Sequence, residues 1–214
     1  MTKQRLNGGV YLVINPAEEQ QWVLQQLRKA VSAGIAAVQI WNNRIDSGPI
    51  VSLAKEVINI CRPLRIPVII NNDVELMRTV GADGVHFDDL ASGARAIGQL
   101  SANDIKGITC GNDLQTIRWA SENQFDYISF CSMFPSVSAG ACELVDLNTI
   151  REANEISKTP LFISGGVTPT NMLQLPADAK YAGVAVINGI MHASDPAATV
   201  NEYLNSLKQR TNDT

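Results

Sequence analysis

The sequence predicts an α/β chain closed into a single (β/α)8 barrel of the TIM type. Three observations predict it. Eight short runs rich in Val and Ile recur along the chain, each bounded by Gly, Pro, Asn or Asp, as buried parallel strands are. Longer segments with helical spacing of apolar residues separate them. Paired glycines end the seventh run, where barrels of this kind often carry a phosphate site.

The eight runs are residues 10–15, 36–41, 68–72, 84–87, 105–110, 127–133, 161–167 and 183–188. Between the first two, residues 19–33 place Val23, Leu27, Ala30 and Val31 on one helical stripe. Asn72-Asp73-Val74-Glu75 reads as a capping box with Asn72 at the cap. Asp146 and Ser194 read as caps of the sixth and eighth helices, and Thr168-Pro169 as the start of the seventh. An open doubly wound sheet needs fewer strands and usually a Gly-rich first turn, whereas the first run here ends Val13-Ile14-Asn15-Pro16. Residues 1–214 read as one barrel domain, with a core over about 10–207 and a polar tail that frays from about Lys208.

Composition narrows the function. A hydrophobic fraction of 45% suits a globular protein, and a net charge of -4 argues against a nucleic-acid partner. No apolar run reaches the ~18 residues of a membrane span, and Met1 to Gly9 lacks the apolar core of a signal peptide. A cytoplasmic location is therefore expected. Cys61, Cys110, Cys131 and Cys142 form no C-x-x-C pair, which argues against a zinc ribbon or a thioredoxin motif. With only His86 and His192, a multi-histidine metal site is excluded.

In such barrels the chemistry sits where strands end. The seventh run ends Ser164-Gly165-Gly166-Val167 and the eighth ends Val186-Ile187-Asn188-Gly189. Adjacent glycines let backbone N–H groups approach an anion, and a following helix N-terminus adds partial positive charge. Gly165, Gly166, Val186, Ile187 and Asn188 are thus expected to form a phosphate cup.

Here the chain resembles the thiamine phosphate synthase family and its paralogue, the thiazole tautomerase. The resemblance covers about Val10 to Leu204. It rests on Tyr11-Leu12-Val13, Val38-Gln39, Pro67-Val68-Ile69-Ile70-Asn71 and the run from Val80 to His86, which contains Gly-Ala-Asp-Gly-Val-His. Asp126-Tyr127-Ile128, Ser164 to Val167 with Asn171, and Gly183-Val184-Ala185-Val186 complete it. The resemblance implies a transferase that joins a pyrimidine pyrophosphate to a thiazole phosphate. Pyrophosphate would leave first, and the thiazole nitrogen would capture the pyrimidine cation. It also implies Mg2+, a small phosphorylated heterocycle as partner, and binding roles for Gln39, Asn71, Ser136 and Ser138, with Thr109 standing where the family has a catalytic Ser. The oligomeric state stays open, a homodimer included.

The family pattern is broken where charge is needed. Its Gln-x-Arg-x-Lys motif is Gln39-Ile40-Trp41-Asn42-Asn43 here, its Asn-Asp pair is Asn71-Asn72, and the Lys of its Pro-Thr-x-Thr-Lys loop is Ala139. Loss of one transition-state charge donor costs about 2.7–4 kcal/mol, so these departures count against ordinary synthase turnover. Arg44 and Asp73, each one residue displaced, are candidate replacements. Asp88, Asp89 and Asn72 are the candidate metal ligands, although Asp88 and Asp89 serve equally as caps of the fourth helix. The tautomerase reading lacks the family's His after strand five, since Gly111 stands there. Cys110 is the neighbouring alternative acid or base, with a buried structural thiol as the simpler reading. His86 reads as a hydrogen-bonded scaffold residue, and Trp41 either stacks on a heterocycle or fills space. Lys106 sits too early in its strand for Schiff-base chemistry. The competing functions are a catalytically degenerate barrel that binds a phosphorylated ligand, a tautomerase-like isomerase, and an unrelated sugar-phosphate barrel enzyme.

Overall fold

In the computed structural model, residues 6–41, 47–136 and 143–212 are described. The strands are β1 (Gly9–Ile14), β2 (Ala37–Ile40), β3 (Val68–Asn71), β4 (Gly84–Phe87), β5 (Ile105–Thr109), β6 (Tyr127–Phe130), β7 (Leu161–Ser164) and β8 (Gly183–Val186). Each pairs in parallel with the next, and β8 pairs with β1, so the sheet closes. Among the described residues the α-helices are α1 (Gln20–Val31), α2 (Ser47–Cys61), α3 (Val74–Val80), α4 (Leu90–Ala96), α5 (Leu114–Glu122), α6 (Leu147–Ile156), α7 (Asn188–Met191) and α8 (Pro196–Asn212). This is the (β/α)8 barrel that the strand pattern predicts.

Alternation of side chains along each strand splits the core in two. Val10, Leu12 and Ile14 of β1, with Val38, Ile40, Val68 and Ile70, join the helix-facing cluster. Tyr11, Val13, Ala37, Ile69, Ile105, Tyr127, Phe162 and Ala185 form a separate cluster in the lumen. Tyr11, Tyr127 and Phe162 meet edge to face with centroids 5.5, 5.8 and 5.6 Å apart, a favourable geometry for rings. Gly107 and Gly183 make room, because a Cβ there would overlap the Tyr127 and Phe162 rings. Nearer the C-terminal strand ends, the same inward parity carries Gln39, Asn71, His86, Thr109, Ser129 and Ser164. An aromatic plug thus floors a polar mouth.

Several local expectations are corrected. β6 ends at Phe130 and β7 at Ser164, earlier than 133 and 167, because their ladders stop at Phe130–Ile163 and Ser164–Ala185. Asp73, not Asn72, caps α3, accepting from Leu76 N at 2.8 Å. Asn72 is left-handed instead (φ 56), a conformation Asn tolerates. Asp195 accepts from Ala198 N at 3.0 Å and so takes the capping role expected of Ser194. Asp146 caps α6 as expected. No α-helix follows β7: a 3-10 turn at Asn171–Gln174 takes its place. Pro176 lies two residues beyond, and the intervening Leu175 is already extended (ψ 138), as a residue before proline prefers. α8 continues through Asn212, past the position where composition suggested fraying.

Candidate functional site

The turn after β7 is shaped by its two glycines. Gly165 (φ 79) and Gly166 (φ 65) are both left-handed. A Cβ at Gly165 would overlap Ser132 Oγ, and one at Gly166 would lie 2.6 Å from Pro135 O and 2.8 Å from Phe134 O. The loop after β6 closes against this turn, with Met133 N donating to Ser164 O at 2.9 Å and Phe134 N to Gly165 O at 3.0 Å. Asn171 braces the other side. Its Nδ2 donates to Gly166 O at 2.8 Å, its Oδ1 accepts from Thr168 N at 2.7 Å, and its N–H donates to Thr168 Oγ1 at 3.1 Å. From α8, Tyr203 OH donates to Val167 O at 2.8 Å.

Beside this turn, β8 runs directly into α7 at Asn188. The first N–H groups of a helix lack the usual intrahelical acceptor and can meet an anion; at this end Ile190 N already donates to Ile187 O at 3.2 Å. Val186 faces the helix layer, leaving only its backbone for such a role. Ile187 and Trp41 both pack on the lumen cluster, which fits the space-filling reading of Trp41. Ser136 is half-buried on the loop after β6. Asn43, Arg44, Ser138 and Ala139 lie outside the described residues.

A chain of hydrogen bonds crosses the mouth. Tyr11 OH donates to Gln39 Oε1 at 3.0 Å and lies 2.7 Å from Tyr127 OH. Tyr127 OH is 3.0 Å from His86 Nδ1, and His86 Nε2 is 2.9 Å from Thr109 Oγ1. Burial pushes the His86 imidazole down to about 4, against an upward pull from Asp88, so the ring is neutral near pH 7. Sequence reasoning kept His86 as scaffold but missed its partner Tyr127 and, one bond further, Tyr11. In a parallel barrel every strand residue is buried on one face or the other, so apolar runs do not announce which parity faces the lumen.

The corner between β3 and β4 is built from amides. Asn71, fully buried, donates to Asp88 Oδ1 at 2.8 Å and to His86 O at 3.2 Å. Asn72 Nδ2 donates to Asp88 Oδ2 at 2.7 Å, and Asp88 N returns a bond to Asn72 Oδ1 at 3.0 Å. Asp89 caps α4, accepting from Ser92 N and Ser92 Oγ at 2.8 and 2.9 Å. Those two bonds hold its carboxyl below the usual carboxylate range. Asp73 is likewise spent on a cap. Among the described residues, no group of three or more His, Cys, Asp or Glu side chains is placed to hold a metal ion. Among the described residues the donors therefore make no preformed Mg2+ site: at this corner Asp88 projects a carboxylate, clasped by two amides.

Two further positions are settled by geometry. Cys110 is buried and its thiol is pushed up to about 12 by desolvation, with the Asp113 charge adding to it. Gly111 (φ 52) places no side chain beside it. Lys106 Nζ donates to Asn123 O at 2.8 Å, away from the mouth.

Comparison with known proteins decides the family. The model of the thiamine monophosphate synthase family (TMP-TENI) matches residues 10–190. The chain belongs to this family. A thiamine-phosphate synthase of Thiobacillus denitrificans is 31% identical over 189 residues, spanning 88% of this chain and 89% of the relative. That of Nitrosococcus oceani is 36% identical over 153 residues, spanning 70% and 69%. Thiamine phosphate pyrophosphorylase from Pyrococcus furiosus superposes with a TM-score of 0.77 at 20% identity, covering 96% of this chain and 98% of that one, a likeness of fold. Members of this family act on phosphorylated small molecules, and no helix among the described residues is long and apolar enough to cross a membrane.

Proposed function

We propose that this family member binds thiazole phosphate or thiamine phosphate, with the phosphate seated against the Gly165–Gly166 turn and the start of α7, and that it turns over the synthase reaction weakly. The observation that carries the binding reading is the turn itself. Two successive left-handed glycines, with no room for a Cβ at either, are braced from β6, Asn171 and α8. Such a turn keeps backbone donors in place for an anion without a side-chain cation. Gln39, Asn71, Thr109, Ser136 and Ser138 would then contact the rest of the ligand.

Weak turnover follows from the opposite corner. A departing pyrophosphate develops charge that positioned cations or a metal must stabilise. Here Asn72 replaces the second carboxylate and spends its amide on Asp88. Mg2+ that arrives with a phosphorylated substrate would reach Asp88 as its protein ligand, since this ion often binds through one or two carboxylates plus substrate phosphates. A degenerate barrel that only binds is therefore the second reading, favoured by the same Asn72–Asp88 bond. A tautomerase is disfavoured, because Gly111 has no side chain and Cys110 is held protonated.

The test is incubation with a pyrimidine pyrophosphate, thiazole phosphate and Mg2+, following pyrophosphate release. Turnover in the ordinary enzyme range of ~1–1000 per second would overturn the weak-turnover reading. Absent turnover with tight thiazole phosphate binding would leave the binder, and absence of both would remove the proposal.

A further inference from the structure

The hydrogen bonds across the mouth form one connected chain: Gln39, Tyr11, Tyr127, His86, Thr109. Each hydroxyl owns one proton, and a neutral imidazole owns one. The chain therefore has only two self-consistent proton patterns, running in opposite directions. The Gln39 end selects between them.

With the Gln39 amide oriented as the structure places it, Tyr11 spends its proton on Gln39 Oε1. Its oxygen can then only accept from Tyr127, at 2.7 Å. Tyr127 has no proton left for His86, so the ring nitrogen 3.0 Å away must donate, which puts the imidazole proton on Nδ1. Nε2 is then an acceptor, and Thr109 must spend its hydroxyl proton inward on it, across 2.9 Å. The half-buried Thr109 oxygen is left with lone pairs toward the mouth.

We propose that Tyr11 and Tyr127 are positioning residues that lock His86 in the Nδ1–H tautomer and thereby make Thr109 an acceptor, not a donor, toward whatever occupies the mouth. A ligand group lying over Thr109 must then bring its own N–H or O–H. The inference rests on hydrogen-bond direction within the lumen and is independent of which phosphorylated ligand the cup takes. Burial supports it: Tyr11, Tyr127 and His86 are all buried, so bulk water does not compete for these protons.

The experiment is nitrogen NMR of the full chain labelled with 15N-histidine, at neutral pH. His86 and His192 are the two histidines of the sequence, and His192 is exposed enough to serve as an internal reference. Long-range proton–nitrogen correlations report which ring nitrogen carries the proton. In the wild-type protein His86 should show a protonated Nδ1 and an unprotonated Nε2. Tyr11→Phe makes no change at His86 or Thr109 themselves, yet it should exchange the two nitrogen signals. Tyr127, deprived of its acceptor, would donate to Nδ1 instead, and the imidazole proton would move to Nε2. Tyr127→Phe removes the Nδ1 acceptor directly and should give the same exchange, which covers the case in which Tyr11→Phe does not fold. A merely structural role for the tyrosines would leave the tautomer unmoved. Nε2–H in the wild-type protein would overturn the proposal, as would a folded Tyr11→Phe variant that keeps Nδ1–H.

Discussion

Two corners of the same barrel mouth solve different problems with different materials. Where β7 meets β8, shape is made by backbone. Gly165 and Gly166 are left-handed, their carbonyls are tied to the loop after β6 and to Asn171, and no charged side chain is needed to hold the turn. Where β3 meets β4, shape is made by side chains. Asn71 and Asn72 clasp Asp88 from both sides, and the carboxylate is satisfied by amides. A backbone cradle survives sequence drift as long as its glycines remain. A side-chain site changes character with one substitution. On the proposed function, the difference would let a family member keep a phosphate cup at the glycine turn while an amide clasp stands at the other corner.

The comparison can be broken first at the cup. Gly166→Ala forces a Cβ against two carbonyl oxygens at positive φ. Strain and overpacking together should cost roughly 2–5 kcal/mol of stability by chemical denaturation. Phosphate-ester affinity should fall about tenfold or more, the equivalent of ~1.4 kcal/mol. An unaffected affinity in a folded variant would show that the turn is not the anion site.

A smaller effect is expected at the other corner. Asp88→Ala leaves the buried Asn71 amide short of one acceptor, which should cost about 1–3 kcal/mol. Phosphate-ester affinity should hold, because the clasp and the cup are separate devices. A parallel loss of affinity would mean that they are coupled.

Asn72→Asp sharpens the contrast. It sets a second carboxylate against Asp88 where an amide now donates at 2.7 Å. Repulsion between exposed carboxylates is worth about 1 kcal/mol, or a fall in Tm of roughly 2–4 °C in a chain of this size. Millimolar Mg2+ should restore the loss in the variant and leave the wild-type Tm unchanged. Equal Mg2+ responses in both proteins would contradict the amide-clasp account. Least of all should Cys110→Ala matter, since a buried thiol pushed up to about 12 neither gives nor takes protons near neutral pH; lost ligand binding in that variant would revive a role for Cys110.

The sequence disclosed the barrel and the glycine turn after β7 for the same reason: both are written in patterns that leave little choice. Eight Val/Ile runs need parallel partners, and adjacent glycines at a strand end need a turn. The polar mouth was less legible. Asn72 and Asp73 are neighbours that could each cap α3, and only the left-handed backbone at Asn72 shows that Asp73 does so while Asn72 turns to Asp88. Tyr11 and Tyr127 lie 116 positions apart, and nothing local marks them as partners. The signal that could have found them is parity. Counting back by twos from Val13 reaches Tyr11, and from Ser129 reaches Tyr127, once register fixes which parity faces the lumen.

The most direct measurement is a pair of calorimetric titrations of the wild-type protein, one with thiazole phosphate and one with the same thiazole lacking its phosphate. If the Gly165–Gly166 turn is an anion cradle, the phosphate ester binds at least about tenfold more tightly than the alcohol, and Gly166→Ala removes that preference. Equal affinities for the two ligands, or no binding of the phosphate ester, would contradict the account.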